Sequence, residues 1–297
     1  MEIKHVGTRG IVFTFDDLST PNYDCPTNVY VINTGKNYII CDTFLGPASM
    51  KEIRDYLEEK YGKKEYIVFN SHSHWDHHWG NSAFPKSKII AHELCMADMK
   101  KTAESELERN AKYKRGKITI TYPNLLFKNN LNFEEEQVLL FHSPGHTPDS
   151  SSCYDSVDKI LFAADNLEEP IPYINSNLEG LKTYIETLKN YASLEFDIII
   201  PGHGTITDKS LLEANLQYLE NLPELAEPVD LDKYDKSFYI VHLSNLNKLA
   251  KIAADEENKT EAIKFYKKML EINEKVQLYD EDSICTINER IKDLSEK

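Results

Sequence analysis

No apolar run in the 297-residue chain approaches the roughly 18 residues a membrane-spanning helix needs, so the sequence offers no candidate span. Paired cysteines are also missing. The five present, Cys25, Cys41, Cys95, Cys153 and Cys285, are odd in number and scattered, and no two form a CxxC motif. They read as reduced thiols, with Cys41 and Cys153 as small buried hydrophobes. With 11 Gly and 12 Pro, the chain lacks the composition of a collagen-like or low-complexity protein. Positive charge is in short supply: 34 Lys and Arg face 49 Asp and Glu, a net charge of −15 that repels phosphate backbones and anionic lipid surfaces. The expected partner is therefore a small-molecule substrate, with no nucleic acid and no membrane. The N-terminal residues show no apolar stretch of signal-peptide length, and a cytoplasmic location is expected.

What is present is an alternation of short β-type runs and helical patterns. Residues 10–15, 28–33 and 38–42 read as strands, followed by an amphipathic helix over about 49–61 and a strand at 66–70. A strand at 88–91, a helical stretch rich in Glu and Lys, and apolar runs at 138–141, 151–154, 159–163 and 197–200 complete the series. Strands interleaved with helices over about 210 residues indicate an α/β class, with antiparallel hairpins in at least the first part. After Asp208 the pattern changes, since residues 211–297 contain no Gly and space their apolar residues at helical intervals. The expected organisation is a catalytic domain over 1–210 and a helical appendage over 211–297. Within the appendage Leu246, Leu249, Ala250, Ala253, Ala262 and Tyr266 follow part of the tetratricopeptide spacing. A helical hairpin packed on the α/β body is the simpler reading, because a lone repeat cannot bury its own apolar face.

Chemistry concentrates in one place. Four of the ten histidines fall within seven residues, in Ser71-His72-Ser73-His74-Trp75-Asp76-His77-His78. Two histidines one residue apart at a strand end can aim both rings into one cavity, because the strand loses its alternation as it enters a loop. Asp76 and His77 then open a helix whose first turn favours a carboxylate. Imidazole together with carboxylate suits zinc and other borderline first-row metals. The alternative is a solvated surface cluster.

The arrangement His72-x-His74-x-Asp76-His77 resembles the signature of the metallo-β-lactamase superfamily, whose fold is an αββα sandwich with metals at one edge of two packed sheets. Three later segments resemble the family's other motifs, in the expected order and each after an apolar run. Ser143-Pro144-Gly145-His146-Thr147-Pro148 looks like the loop with the third histidine. Leu161 to Asp165 is similar to the strand end that delivers a bridging aspartate, and Ile199 to Gly204 to the loop with the last histidine. The resemblance covers about residues 10–208. It implies that His72, His74 and His146 hold one ion and Asp76, His77 and His203 a second, with Asp165 bridging them and Asp76 and Asp165 acting in catalysis. Two divalent ions, zinc first with manganese or iron also suited, would be the cofactors. Ions 3.5 to 4 Å apart lower the pKa of a shared water and polarise a carbonyl. Asp42 occupies the family's position for an acid behind a ligating histidine. Two departures stand out: Asp149 where many relatives have Gly after the third-ligand loop, and Ala164 where Gly often precedes the bridging aspartate.

The expected activity is that of a dinuclear metal-dependent hydrolase acting on an ester, thioester, lactone or amide, with phosphodiesters a further class. The acidic balance and the short interval between Asp165 and His203 argue against RNA-processing relatives, and His74 argues against flavodiiron proteins, which carry glutamate there. Two alternatives stay open: a mononuclear non-haem iron sulfur dioxygenase, and a non-catalytic scaffold or sensor that uses the helical tail. His78, His92, His142 and His242 read as hydrogen-bonded or solvated histidines, and Trp75 and Trp79 as pocket wall or packing. Tyr234, Phe238 and Tyr239 open the tail and either reach the substrate pocket, opposite Tyr173, or pack between tail and body. The substrate and the oligomeric state are not legible.

Overall fold

The computed structural model describes residues 1–222 and 235–296. Its architecture follows from strands that, past the edge, are apolar on both faces. In β1 (Glu2–Val6), β2 (Gly10–Phe15), β3 (Thr27–Asn33) and β4 (Asn37–Cys41), successive side chains point to opposite sides of a sheet. Val12, Tyr30, Ile32 and Ile39 fall on one side, and Ile11, Phe13, Val29, Val31 and Ile40 on the other. Both sides must therefore be covered.

The first sheet continues through β5 (Glu65–Phe69), β6 (Lys88–His92) and β7 (Leu125–Phe127), in the spatial order β1 to β7. β1 to β4 are antiparallel, whereas β4 to β7 run parallel. Between β4 and β5 lies α1 (Pro47–Tyr61), which opens with Pro at its start, where a missing N–H costs nothing, and buries Met50, Ile53 and Leu57 at helical spacing. It closes one outer face. The single-turn α2 (Trp75–His78) and the longer α3 (Glu93–Arg109) follow β5 and β6.

A second sheet of β8 (Asn130–Phe133), β9 (Val138–His142), β10 (Ser151–Asp155), β11 (Ile160–Ala164) and β12 (Ile198–Pro201) has the order β12-β11-β10-β9-β8, with only the β11–β12 pair parallel. Its inward residues Val138, Leu140, Cys153, Ile160, Phe162 and Ile200 meet those of the first sheet in one core. Its outward Leu161, Ala163 and Ile199 pack under α4 (Leu178–Ala192), α5 (Lys209–Asn221), α6 (Lys236–Asp255) and α7 (Lys259–Val276), with α8 (Glu281–Glu296) against α7. The result is an αββα sandwich with a helical C-terminal part. Each fully buried Leu, Ile or Phe adds about 1.5–3 kcal/mol to holding these layers together.

The expected strands appear within a residue or two of their predicted bounds. β1, β7, β8 and α4 are additional elements, and residue 211 falls in the first turn of α5. Leu246, Leu249, Ala250, Ala253, Ala262 and Tyr266 are all buried in the α6–α7 hairpin, which packs on the body. Phe238 and Tyr239 are buried in the same cluster, so their place is the core between helices and body. Tyr234 lies outside the described residues. No helix among the described residues is long and apolar enough to cross a membrane.

Candidate metal centre

Four connections converge at one edge of the two sheets. Past the end of β5 the chain enters the loop carrying His72 and His74, and α2 follows with Asp76 in its first turn and His77 behind it. The β9–β10 loop carries His146, whose backbone N–H donates to Asn166 Oδ1 (2.9 Å). Asp165 follows β11, and His203 follows β12. The His203 loop is laced to the start of β3: Asn28 N–H donates to Gly202 O, and Gly204 N–H to Pro26 O, both at 2.9 Å.

Two backbone positions explain the local sequence. A Cβ on Gly202 would lie 1.9 Å from Asp165 Oδ1, so only glycine lets this loop close on the carboxylate. Ala164 sits at φ 47°, a left-handed conformation that glycine adopts freely and that costs another residue about 1 kcal/mol.

The side chains form two groups whose donor atoms lie within 4.8 Å of one another and that could each hold a metal ion: His72, His74, His146 and Asp165 in one, Asp76, His77 and His203 in the other. All seven residues named from the sequence are thus brought together. Asp165 Oδ2 joins the groups, lying 3.4 Å from His72 Nε2, 3.2 Å from His77 Nε2 and 3.6 Å from both His146 Nε2 and His203 Nε2. Asp76 Oδ2 stands 3.3 Å from His203 Nε2 and 3.6 Å from His77 Nε2. His74 turns its Nδ1 inward, 3.2 Å from His146 Nε2. His72 Nε2, His77 Nε2 and Asp165 Oδ1 are buried with no hydrogen-bond partner in the chain. Buried polar atoms without partners are costly, and a cation at the meeting point would satisfy them. The donor set therefore fits divalent metal.

The far sides of the rings are occupied. His77 Nδ1–H donates to Asp42 Oδ2 (2.7 Å), whose carboxylate also accepts from Ser71 N–H (2.8 Å) and Ser71 Oγ–H (2.7 Å). Asp42 therefore stands where the resemblance put it. His146 Nδ1–H donates to the carbonyl of Tyr173 (3.0 Å), and His203 Nδ1 has Thr27 Oγ1 at 3.1 Å and Cys25 Sγ at 3.3 Å. Each of these contacts leaves Nε2 free to face inward.

Burial and charge act in opposite senses across the cluster. Burial disfavours charge on His77, but Asp165, Asp76 and Asp42 outweigh it and raise its pKa well above the usual histidine range. His203 is raised likewise, burial being overcome first by Asp165. Burial alone would raise the two carboxylates. Instead His77, His203 and His72 hold Asp165 well below the ordinary range, and His77 and His203 do the same for Asp76. On the other side of the centre, burial and the neighbouring His77 lower His72, and burial takes His146 down to about 4.

The other marked residues separate cleanly. Trp79 is fully buried under the first sheet, and Trp75 packs between it and Tyr113. His92 donates to Lys128 O and His142 to Pro148 O, with the two rings stacked at 3.8 Å, and His242 meets Tyr218 Oη. His78 departs from expectation: it is buried with both ring nitrogens unpartnered. Asp149 is buried too. Glu168, buried 3.5 Å from His146 Nδ1, and Cys25 and Thr27 beside His203 carried no signal in the sequence, since none belongs to a motif. Burial raises Glu168, and the nearby Asp165 adds to the effect.

Comparison with known proteins agrees with this geometry. The family model described as the metallo-beta-lactamase superfamily matches residues 22–203. A metallo-beta-lactamase type 2 from Bacillus sp. (strain 170) is 28% identical over 205 residues, covering 66% of this chain and 73% of that protein. A human acyl-coenzyme A thioesterase is 22% identical over 206 residues, covering 59% and 72%. The solved structure of a metallo-beta-lactamase from Pontibacter korlensis superimposes with a TM-score of 0.59 at 19% identity, over 74% of this chain and 99% of that one, which speaks for the fold. With more than half of its length inside the family match and the motif residues gathered at one sheet edge, this chain belongs to the metallo-beta-lactamase superfamily.

Proposed function

We propose that the chain is a metal-dependent hydrolase with a two-ion centre, acting on the carbonyl of an ester, thioester, lactone or amide. The observation that carries this reading is the meeting of four imidazole nitrogens from both groups on one carboxylate oxygen, Asp165 Oδ2. His72, His74 and His146 would hold one ion and Asp76, His77 and His203 the other, with Asp165 shared. Two such ions, zinc first among them, would lower the pKa of a water held between them and polarise the substrate carbonyl.

The chain's own part is to fix the donors and move a proton. Asp42, Thr27 and the Tyr173 carbonyl hold the rings in the tautomers that leave Nε2 available. Asp76 would hold the second ion through one carboxylate oxygen and leave the other to accept the proton released as water adds to the carbonyl. No serine or cysteine nucleophile is required. Relatives named as a lactamase and a thioesterase both act on acyl carbons, which supports the carbonyl class. The net charge of −15 favours a small-molecule substrate over nucleic acid, and five free cysteines suit a reducing cytoplasm.

Metal analysis of anaerobically purified protein, coupled to turnover of an ester, thioester, lactone and amide panel, tests the reading. Two ions per chain and hydrolysis of one substrate class are expected. A reproducible single ion after reconstitution with excess zinc, manganese or iron would overturn the two-ion centre and favour the iron dioxygenase. No turnover with both ions bound would favour a scaffold.

A further inference from the structure

Residues 166–177, between β11 and α4, form an irregular loop that leaves Asp165 and brings the Tyr173 carbonyl to His146. Pro170 and Pro172 interrupt it, so it lacks two backbone donors and has no ladder of its own. Its buried carbonyls and N–H groups still need partners. Two asparagines from the helices supply them. Asn215 on α5 donates Nδ2–H to Glu168 O (3.1 Å) and accepts Glu168 N–H at Oδ1 (3.0 Å). Asn245 on α6 donates Nδ2–H to Pro172 O (2.9 Å) and accepts Ile174 N–H at Oδ1 (3.0 Å). Both side chains are fully buried.

The residue between the two groups gripped by Asn245 is Tyr173. Its carbonyl accepts His146 Nδ1–H, and its N–H donates to Glu168 Oε1 (3.2 Å). The peptide that orients His146 is thus held from both flanks by one side chain of the C-terminal helical part. Donor and acceptor roles are opposite at the two flanks, so a hydrophobic side chain of equal size would fill the space and lose both bonds, along with the third that Nδ2 donates to Tyr218 Oη (3.0 Å).

We propose that Asn245 is a positioning residue for the metal centre: by gripping Pro172 and Ile174 it fixes the Tyr173 carbonyl, and through it the ring orientation and tautomer of His146. The inference rests on reading His146 as a metal ligand. Loss of a partner in the layer behind a ligand typically costs 10- to 100-fold in metal affinity.

The test is titration of the full chain with cobalt(II), followed by ligand-field absorbance. The wild type is expected to take up two ions. Asn245→Leu is expected to weaken one of the two by about tenfold or more. Leu249→Ala, a core truncation on the same helix, lowers the melting temperature and leaves both affinities unchanged. In a His146→Ala background Asn245→Leu should cause no further loss, because the two act through one ring. If Asn245→Leu does not fold, Asn245→Asp, which keeps the acceptor for Ile174 and loses the donor to Pro172, is read in the same way. A loss that Leu249→Ala reproduces, or that persists undiminished in the His146→Ala background, overturns the proposal. So does an Asn245 variant that binds both ions like the wild type. A wild type that takes up no cobalt overturns the metal-centre reading itself, and the inference with it.

Discussion

His77 and His146 occupy equivalent places on opposite sides of Asp165, yet they are held in different ways. Behind His77 stands a charged side chain, Asp42, at the end of β4 in the same sheet, pinned by Ser71. Behind His146 stands a backbone carbonyl, with Glu168 3.5 Å away, in a loop that owes its shape to α5 and α6. A carboxylate partner raises the basicity of its imidazole and is supplied locally, whereas a carbonyl partner orients the ring without charging it and here depends on distant sequence. One side of the centre is thus built into the sheet, and the other is assembled by packing.

The largest break in this comparison comes from removing the helices. Phe238, Tyr239, Val241, Leu246 and Leu249 share one buried cluster with Leu161, Leu188 and Ile199. Losing several such residues at about 2–5 kcal/mol each exceeds the 5–15 kcal/mol that holds a typical domain together. A chain cut after Leu222 is therefore expected to lose its cooperative thermal transition. A truncated protein with a sharp transition and full metal content would instead leave the tail a role in the substrate pocket alone.

Next in size is Asp165→Ala, which takes away the oxygen common to both sides. Nearly all turnover and both ions should be lost, while His203→Ala should empty the second group alone; metal content per chain distinguishes the two. Asp42→Ala tests the charged side by itself. It should weaken the second ion 10- to 100-fold. It should also lower stability by about 3 kcal/mol, because Ser71 and His77 lose a buried anionic acceptor, as denaturant titration would reveal.

The last contrast is one of pH. His77 and His203 have raised pKa values, so an ion entering the second group must displace protons through and above the ordinary histidine range. His72 and His146 are lowered instead, His146 to about 4. Zinc affinity of the second group should climb more steeply with pH than that of the first, by up to about tenfold per unit for each proton displaced. Equal slopes would erase the distinction. For the metal-free chain, the raised histidines contribute stability at low pH that is lost as pH rises through their folded values. The lowered Asp165 and Asp76 contribute stability that is lost as pH falls through the carboxylate range.

The two sides also differ in how far the sequence revealed them. The His72 to His77 run and the loops around His146, Asp165 and His203 are short stretches in which neighbouring residues act together, so spacing and resemblance sufficed. Asp42 was legible for the same reason, standing at the end of a clear strand. Asn245 was not, because an asparagine within a helical pattern looks like any solvated position until the helix is seen to dock on a proline-interrupted loop. Among the elements, β1 escaped notice as a largely exposed edge strand, and β7 and β8 are only three and four residues long. In the tail, apolar spacing identified helices but not whether Phe238 and Tyr239 meet a substrate or a core.

The grip of α6 on the loop also sets an order of events during synthesis. A ribosome that has released the chain as far as His203 has delivered every proposed ligand, together with Asp42 and Ser71. Asn245 is still to come. Until α6 emerges and docks, the carbonyl behind His146 lacks the side chain that grips both its flanks, so the centre is expected to mature only when the C-terminal helices have folded against the body.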